Sequence, residues 1–288
     1  MSFEVSDMRC TTPINRFGWI PDKPDHRDYI RSHPEVQKIL TKIPKKSVQS
    51  AVDLRPHCSP IVDQGQLGSC TANAAAGLYE YMELKAFGTF QPVSRLFIYK
   101  ATRDFMKLSG DSGAEIRSTL GALTLFGAPP EEFYPYDITV FDNEPSAFLY
   151  AFASNFKALT YVRLDSPGLG TTNILTSIKT MLANGIPVEF GFTVYDSFMK
   201  VGPDGLIPFP KQNENVQGGH AVDFVGFNDS IQCPNSSVGA FILRNSWGES
   251  WADEGYGYMP YDFVLKGLAQ DFWSILSESW IDTAQFKT

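Results

Sequence analysis

The stretch that decides the fold is Gln64-Gly-Gln-Leu-Gly-Ser-Cys70-Thr-Ala-Asn-Ala-Ala-Ala-Gly-Leu-Tyr79. A glycine-rich loop leads here into a segment with apolar residues at three- and four-residue steps, which predicts a buried helix. Cys70 falls in the first helical turn, where the partial positive charge and unpaired N–H groups favour thiolate over thiol. With a neighbouring imidazolium, the sulfur would be a nucleophile at neutral pH. Taken alone, Cys70 would be interpreted as a small buried core residue, which is the commoner role of a free cysteine.

The residues around this stretch divide the chain into a helical half and a strand-rich half. Residues 51–155 are predicted to form a helical lobe, with further helices after Ser94, up to Phe126-Gly127, and from Asn143 with Pro145 in its first turn. Residues 156–288 are predicted to form a mostly antiparallel sheet or barrel. Its strands are expected at 187–194, 220–227, 240–244 and 272–275, with one helix at 173–184. This order of elements indicates the α+β class with two lobes.

Composition excludes several classes of function. The 288 residues include 24 Lys+Arg and 32 Asp+Glu, a formal net charge of −8, and 43% hydrophobic residues, which describes an acidic globular protein. The Lys45-Lys46 pair is too small to form the basic stripe that nucleic-acid binding needs. No apolar run approaches the ~20 residues of a membrane span. Because no metal-binding spacing is present either, we predict no nucleic acid, no membrane span, no metal and no cofactor.

A histidine is the strongest candidate for the base. His220 lies in Gly218-Gly-His-Ala-Val-Asp-Phe-Val225, at the start of a predicted strand and after two glycines that leave space beside it. Of the other three histidines, His26 and His33 lie in the N-terminal segment and His57 lies in a loop. The alternative for His220 is a strand-end histidine that bonds to backbone.

An asparagine near two tryptophans completes the set. Asn245 lies in Leu243-Arg-Asn-Ser-Trp-Gly-Glu-Ser-Trp251, at the end of a predicted strand. An asparagine can orient an imidazole by accepting its second N–H, and a large ring such as that of Trp247 can shield this hydrogen bond from water.

Together these fragments resemble the papain-like cysteine peptidases, the family of papain and the cathepsins, and in particular bacterial-type members with a short N-terminal pro-segment. Gln64 precedes Cys70 in a Gln-Gly-x-x-Gly-Ser-Cys frame similar to the one around the family's nucleophile. The segment from Gly219 to Val222 resembles that of the catalytic histidine. Asn245-Ser-Trp-Gly248 resembles the Asn-Ser-Trp-Gly block of the family, and the order of these residues along the chain is the same.

The resemblance implies a papain-like fold, in which a helical lobe packs against an antiparallel β-barrel lobe with the active-site cleft between them. It implies that Cys70 attacks a peptide carbonyl and that His220 holds the thiolate as an ion pair and protonates the leaving amine. Asn245 would orient the imidazole, and Trp247 would shield it. Gln64 and the Cys70 backbone N–H would stabilise the oxyanion.

The resemblance also implies a substrate-binding set on the two sides of the cleft. Asp111-Ser-Gly-Ala114 looks like the family's glycine stretch, whose backbone pairs with an extended substrate, and Gly219 would pair from the other side. The small residues here hint at a pocket that accepts a hydrophobic side chain. The expected substrate-binding residues are Ser112, Gly113, Gly219 and Ala221.

Two departures from the family pattern concern its cysteines and the residue after the nucleophile. Thr71 replaces the usual tryptophan, and Leu67 replaces a cysteine that forms a disulfide in papain and the cathepsins. The remaining cysteines, Cys10, Cys58 and Cys233, allow three alternative single bridges, and the sequence does not choose among them.

The N-terminal residues 1–50 are predicted to be a pro-segment and linker. Gly18-Trp-Ile-Pro-Asp22, with the charged residues 25–29, resembles the short leader of bacterial family members. We hypothesise that residues 1 to about 46 lie across the cleft and keep the enzyme latent, and that the Lys45-Lys46 linker is a cutting point. The alternative is a permanent structural arm.

The sequence therefore predicts a papain-like cysteine endopeptidase that hydrolyses peptide bonds and is latent until its pro-segment is displaced or removed. Its expected partners are protein or peptide substrates and its own pro-segment. The alternatives are an exopeptidase or transpeptidase with the same nucleophile, or a non-enzymatic binding protein on a peptidase fold. No signal peptide is recognisable in the first residues, yet we expect a secreted or exported protein.

Overall fold

The computed structural model describes residues 17–41 and 49–280. In these ranges the helices are α1 (Pro34–Leu40), α2 (Cys70–Phe87), α3 (Arg95–Phe105), α4 (Ile116–Leu125), α5 (Ala147–Ala153), α6 (Thr171–Ala183) and α7 (Asp262–Leu265). The strands are β1 (Ala51–Asp53), β2 (Phe156–Arg163), β3 (Val188–Tyr195), β4 (Val216–Gln232), β5 (Val238–Arg244), β6 (Tyr256–Pro260) and β7 (Ala269–Trp280). The predicted α+β class is confirmed.

Helix α2 is the central helix of the molecule and has Cys70 as its first residue. It is buried along most of its length because its N-terminal half consists of small residues that allow close packing. Ala72, Ala75 and Ala76 belong to one apolar cluster with Ala221 of β4. The helix ends at Gly88, whose φ of +73° is the left-handed conformation that glycine adopts without strain.

Helices α3 and α4 pack beside α2 and begin and end where local residues satisfy their termini. The Ser94 side chain accepts a hydrogen bond from Phe97 N and caps α3. After α4, Gly127 has a φ of +78° and donates its N–H to Leu123 O. This glycine is the left-handed residue that the sequence predicted at the end of this helix.

The strands form one antiparallel sheet in the order β2-β7-β3-β4-β5-β6, and β1 pairs with β4. Strand β4 has 17 residues and pairs with β1, β3 and β5, so it is the central strand of this lobe. One face of the sheet carries an aromatic core in which Phe224 stacks on Phe190 with ring centroids 3.8 Å apart. The other face contributes Ala221 and Trp273 to the cluster that contains Cys70.

Several boundaries differ from the sequence-based expectation, and three of these differences concern the starts of α5, α6 and β1. Helix α5 begins at Ala147 rather than Asn143, because the Ser146 hydroxyl accepts from Leu149 N and takes the cap position, so Pro145 lies before the helix. Helix α6 starts at Thr171, two residues before the predicted start. The segment from Ala51 begins in the predicted helical lobe, but β1 pairs with β4 and therefore belongs to the sheet.

Cys58, Cys70 and Cys233 are free thiols. The bridge between Cys58 and Cys233, one of the three alternatives, is therefore not formed, and the two alternatives with Cys10 lie outside the described residues. The Lys45-Lys46 linker also lies outside them. No helix in residues 17–41 and 49–280 has the length and apolar character needed to cross a bilayer.

Candidate active site

Cys70 is fully buried at the start of α2. The backbone N–H groups of Ala221, Gly18 and Thr71 face its sulfur and lower the pKa of the thiol. Burial nevertheless raises the pKa of the Cys70 thiol to about 12, because the three donors offset only part of the desolvation and the charge of Glu189 acts in the same direction as burial. Burial of the sulfur therefore favours the thiol over the thiolate.

His220 lies on β4, directly before Ala221, and is fully buried. Its Nε2 lies 2.8 Å from Asn245 Oδ1. Because an amide oxygen only accepts hydrogen bonds, this contact places a proton on Nε2. Asn245 Oδ1 also accepts from Ser246 N at 2.8 Å, which holds the amide in this orientation.

Aromatic rings enclose the His220–Asn245 hydrogen bond. The ring of Trp247 stacks on the imidazole with centroids 4.8 Å apart and an interplanar angle of 29°. Phe192 and Phe17 meet the same imidazole edge-on, at 5.9 Å and 6.3 Å. Trp247 is 3% exposed, so water is excluded from the hydrogen bond that orients the histidine.

Gln64 connects the loop before Cys70 to the loop after Asn245. Its Oε1 accepts from Ser246 Oγ at 2.7 Å, and its Nε2 donates to Leu67 O at 2.8 Å. Its backbone N–H also donates to Ser246 O at 2.9 Å. The structure thus places the four residues predicted to be catalytic in one continuous buried region.

Tyr136 is a residue of this region that the sequence analysis missed. Its hydroxyl donates to Gln64 O at 3.0 Å and lies 2.6 Å from Ser69 Oγ. The tyrosine therefore ties the loop of Gln64 to the residue before Cys70. It lies 66 positions beyond Cys70 in the chain, with no spacing that relates it to the other site residues, so only the fold could reveal it.

The predicted substrate-binding residues lie on both walls of the cleft, with one difference from the expectation. Gly219 O accepts from Trp19 N at 3.1 Å on one wall. On the other wall, Ala114 makes the backbone pairing, whereas the hydroxyl of Ser112 donates to Gly113 O at 3.1 Å. The backbone N–H of Ala221 faces the Cys70 sulfur.

The cleft is occupied by residues 17–33 of the chain itself, which we name the leader. Ala114 N donates to Gly18 O at 2.7 Å, and Ile20 N donates to Ala114 O at 2.9 Å, so Trp19 forms a parallel bridge with Ala114. The indole of Trp19 is 7% exposed and belongs to the apolar cluster around Cys70.

Glycines make room for the leader. A Cβ added to Gly113 would lie 2.3 Å from Gly18 O, one on Gly219 would lie 2.8 Å from Trp19 O, and one on Gly191 would lie 1.9 Å from the indole. The leader has the same requirement, because a Cβ on Gly18 would lie 1.7 Å from Gly68 O. Both surfaces must lack side chains at these points for the backbones to approach.

Two carboxylates anchor the leader beyond the cleft. Asp22 Oδ2 accepts from Trp273 Nε1 at 2.8 Å, and Asp22 N donates to Asp271 Oδ2 at 2.8 Å. Asp28 accepts two hydrogen bonds from Arg117, at 2.6 Å and 2.7 Å. Paired contacts of this kind are among the stronger hydrogen bonds in proteins.

No group of three or more His, Cys, Asp or Glu side chains in the part of the chain that the structure describes is arranged to hold a metal ion.

The sequence is similar to those of known proteases. A family model described as papain family cysteine protease matches residues 48–271. An uncharacterized peptidase C1-like protein of Acanthamoeba polyphaga mimivirus is 38% identical over 284 residues, covering 93% of this chain and 89% of that protein. A cathepsin B-like protein of Giardia intestinalis is 30% identical over 213 residues, covering 70% of this chain and 64% of that protein.

Solved structures show the same similarity in three dimensions. Xylellain, a cysteine protease from Xylella fastidiosa, superposes with a TM-score of 0.75 at 33% identity, covering 93% of this chain and 97% of that one. Digestive procathepsin L 3 from the larval midgut of Tenebrio molitor shares the fold with a TM-score of 0.63 at 20% identity, over 91% of this chain and 76% of that one. The predicted papain-like fold is confirmed, and the chain belongs to the papain family of cysteine proteases.

Proposed function

We propose that the protein is a cysteine endopeptidase held in a latent state by its own leader. The observation that carries this proposal is the position of the leader, whose Trp19 side chain is buried in the apolar cluster that contains Cys70. The leader also pairs with Ala114 on one wall and Gly219 on the other, so a substrate and the leader would compete for the same backbone groups.

In the open enzyme, solvent and His220 would stabilise the thiolate that burial disfavours in the closed state. The Cys70 sulfur would attack the carbonyl carbon of the scissile bond, and His220 Nδ1 would give its proton to the leaving amine. Water would then add to the thioester with His220 as base, releasing the acid and the free sulfur. The Cys70 N–H and the Gln64 amide would stabilise the oxyanion in both steps.

The orientation of the leader explains why it would block the cleft without being cut at Gly18. Cleavage requires a carbonyl carbon about 3–3.5 Å from the sulfur. Gly18 O accepts from Ala114 N at 2.7 Å on the cleft wall, and this pairing would hold the Gly18 carbonyl away from the sulfur.

The latency proposal is tested by substitution of Gly18. Gly18→Ala places a methyl group against the backbone oxygen of Gly68, which cannot swing away, and such overpacking costs about 1–3 kcal/mol. We expect about tenfold or more initial activity on an added peptide compared with the wild-type chain. Gly202→Ala is the matched control, because its added Cβ makes an ordinary 3.5 Å contact, and Cys70→Ala should be inactive.

Intact mass must be followed alongside activity. If the wild-type chain cleaves peptide as fast as Gly18→Ala while its N-terminal residues are still attached, the leader is a permanent arm and latency is wrong.

The position of cleavage distinguishes an endopeptidase from an exopeptidase. The exopeptidase is the second candidate because the chain is similar to cathepsin B-like relatives. A long peptide blocked at both ends is cut internally by an endopeptidase, and its fragments are identified by mass spectrometry. Release of only terminal residues from unblocked peptides would establish an exopeptidase instead. Products carrying an added amine would indicate a transpeptidase.

A further inference from the structure

One buried carboxylate near the nucleophile has no role in the mechanism above. Glu189 on β3 is fully buried, and neither of its oxygens has a hydrogen-bond partner among the residues that the structure describes. Burying an unpaired carboxyl group is costly, and buried polar groups in native proteins nearly always have partners. Its position therefore suggests that a partner is supplied by something that binds.

The strand register places Glu189 in the active-site cleft. Glu189 and Gly191 lie on one face of β3, since side chains alternate along a strand. Across the ladder they pair with Asp223 and Ala221 of β4, and Ala221 belongs to the same apolar cluster as Cys70. The charge of Glu189 also acts on the pKa of the Cys70 thiol, as expected for neighbours in one cleft.

The side chain of Trp19 fills the space over this face. A Cβ on Gly191 would lie 1.9 Å from the indole, so the absence of a side chain at Gly191 creates the pocket that Trp19 occupies. The fit is steric and not polar, because Trp19 Nε1 is buried without a hydrogen-bond partner among the described residues. With the leader in place, a donor and an acceptor in the same pocket both remain unpaired.

Nearby cations have other partners. Arg244 donates to Ser59 and Pro60 and lies 4.0 Å from Asp223, and Arg163 pairs with Asp271 at 2.8 Å. Glu189 has no ion pair within residues 17–41 and 49–280. Burial raises the pKa of Glu189 well above its ordinary value, and the charges of Asp223 and Asp22 act in the same direction, as expected for a carboxyl that lacks a cation.

We propose that the pocket vacated by Trp19 binds an arginine or lysine side chain of the substrate, with Glu189 as its counter-ion. This inference rests on the proposed function, because it assigns a substrate class to the same cleft. The aliphatic part of such a side chain would lie over Gly191 and Ala221, and its cationic end would reach the carboxylate. The sequence had hinted instead at a pocket that accepts a hydrophobic side chain.

A double-mutant cycle of melting temperatures at positions 19 and 189, which we call the stability cycle, tests the pocket without relying on activity. In the full chain carrying Cys70→Ala, position 19 is changed to Arg or to Met, each with Glu189 present or with Glu189→Gln. We expect Trp19→Arg to melt at least about 2 °C above Trp19→Met when Glu189 is present, and this advantage to vanish with Glu189→Gln. The exposed Glu132 provides the control, since Glu132→Gln should leave the advantage intact. An arginine no better than methionine, or an advantage that survives Glu189→Gln, overturns the proposal.

Peptide cleavage tests the same inference on substrates. Peptides that differ only by Arg, Lys or norleucine at each position in turn are offered to the Gly18→Ala enzyme. We expect cations to be preferred over norleucine by about tenfold at one fixed position from the cut, and Glu189→Gln to abolish this ratio. Cleavage without any such preference overturns the inference. Absence of all cleavage contradicts the proposed function instead, and the stability cycle still decides the role of Glu189.

Discussion

In the proposed mechanism, the hydrogen bond from His220 Nε2 to Asn245 Oδ1 would orient the imidazole so that Nδ1 exchanges the proton with the sulfur. The two atoms are 2.8 Å apart, and Trp247 stacks on the imidazole and shields the hydrogen bond from water. A hydrogen bond is stronger in such a low-dielectric environment than in water. The contact becomes charge-assisted when the imidazole is protonated, so its loss should affect catalysis more than folding.

We expect Asn245→Ala to lower kcat/KM of the open enzyme by about 10- to 100-fold, since a hydrogen bond to a charged group contributes roughly 1.5–3 kcal/mol. Asn245→Asp keeps an acceptor oxygen and should retain more activity than the alanine variant. Steady-state kinetics in the Gly18→Ala background measures both. Equal rates for wild-type and alanine enzymes with unchanged melting temperatures would show that the histidine needs no such partner.

The raised pKa of Cys70 predicts its reactivity. In the closed chain, alkylation by iodoacetamide should be slow at neutral pH and increase only toward alkaline pH, because the thiol has a pKa of about 12 and no exposed surface. In Gly18→Ala we expect at least tenfold faster alkylation at pH 7. Peptide mapping must separate Cys70 from Cys58 and Cys233, whose pKa values burial raises to about 11 and about 12. Equal rates in the two chains would contradict this prediction.

At the residue scale, the sequence predicted those positions that chemistry ties to a local pattern. Gln64 and Cys70 share one loop-helix junction, and His220 and Asn245 have recognisable neighbours. Tyr136 was missed because its hydroxyl reaches the site only through the fold. Glu189 was missed for the same reason, since one acidic residue in a strand carries no signal of what faces it.

At the element scale, the equilibrium between the proposed closed and open states of the leader would depend on the protonation of Asp22. In the closed chain, burial raises the pKa of Asp22 to about 6 from the ordinary value of 3.8, although Arg117, Trp273 and Arg163 lower it. Burial and the charge of Asp22 likewise raise the pKa of Asp271 to about 7. A carboxyl that holds its proton more tightly in the closed state stabilises that state at low pH.

The leader should therefore be held most firmly below about pH 4 to 5 and loosen as the pH rises through 6 to 7. A shift of about two pKa units corresponds to a change of up to about 100-fold in the closing equilibrium. Hydrogen exchange of residues 17–33 in Cys70→Ala, corrected for the intrinsic pH dependence, measures this protection. Asp22→Asn should flatten the profile, and protection that increases with pH in the parent chain would contradict the assignment.

Some element boundaries were predicted wrongly because two local sequence signals favoured different start points, or because the element was too short to show a pattern. The start of α5 was predicted too early because Asn143 and Ser146 are both good caps, and the structure uses the serine. The three residues of β1 are too few to show a period, so their pairing with β4 was not foreseen. Long elements such as α2 and β4 were predicted because burial imposes an apolar pattern over many residues.

At the scale of the whole molecule, the two lobes are joined by a buried polar contact. Arg244 of β5 donates from Nη2 to Ser59 O, Ser59 Oγ and Pro60 O, at 3.2 Å, 3.1 Å and 3.0 Å. Helix α2 passes directly over this guanidinium at Gly77, where an added Cβ would lie 2.2 Å from Nη1. The close approach of helix and sheet thus depends on the lack of a side chain at this position.

We expect Gly77→Ala to lower the free energy of unfolding by about 1–3 kcal/mol, because the fully buried Arg244 cannot swing away. Gly121→Ala is the matched control in α4, where the nearest atoms lie 3.7 Å from the added Cβ. It should stabilise by up to about 1 kcal/mol through helix propensity. Urea denaturation of both variants in Cys70→Ala measures the difference, and a shift of equal sign in both would refute it.

The covalent tether of the leader has a consequence for how activity would appear. Because residues 42–48 join α1 to the rest of the chain, the leader would compete for the cleft as an intramolecular ligand, at an effective concentration in the millimolar range. Even weak contacts then suffice to fill the cleft. Once the tether is cut, the same segment competes only at the concentration of the protein itself. A dilute solution would then lose its inhibitor while a concentrated one would stay partly blocked, so one and the same cut would have different effects in different volumes.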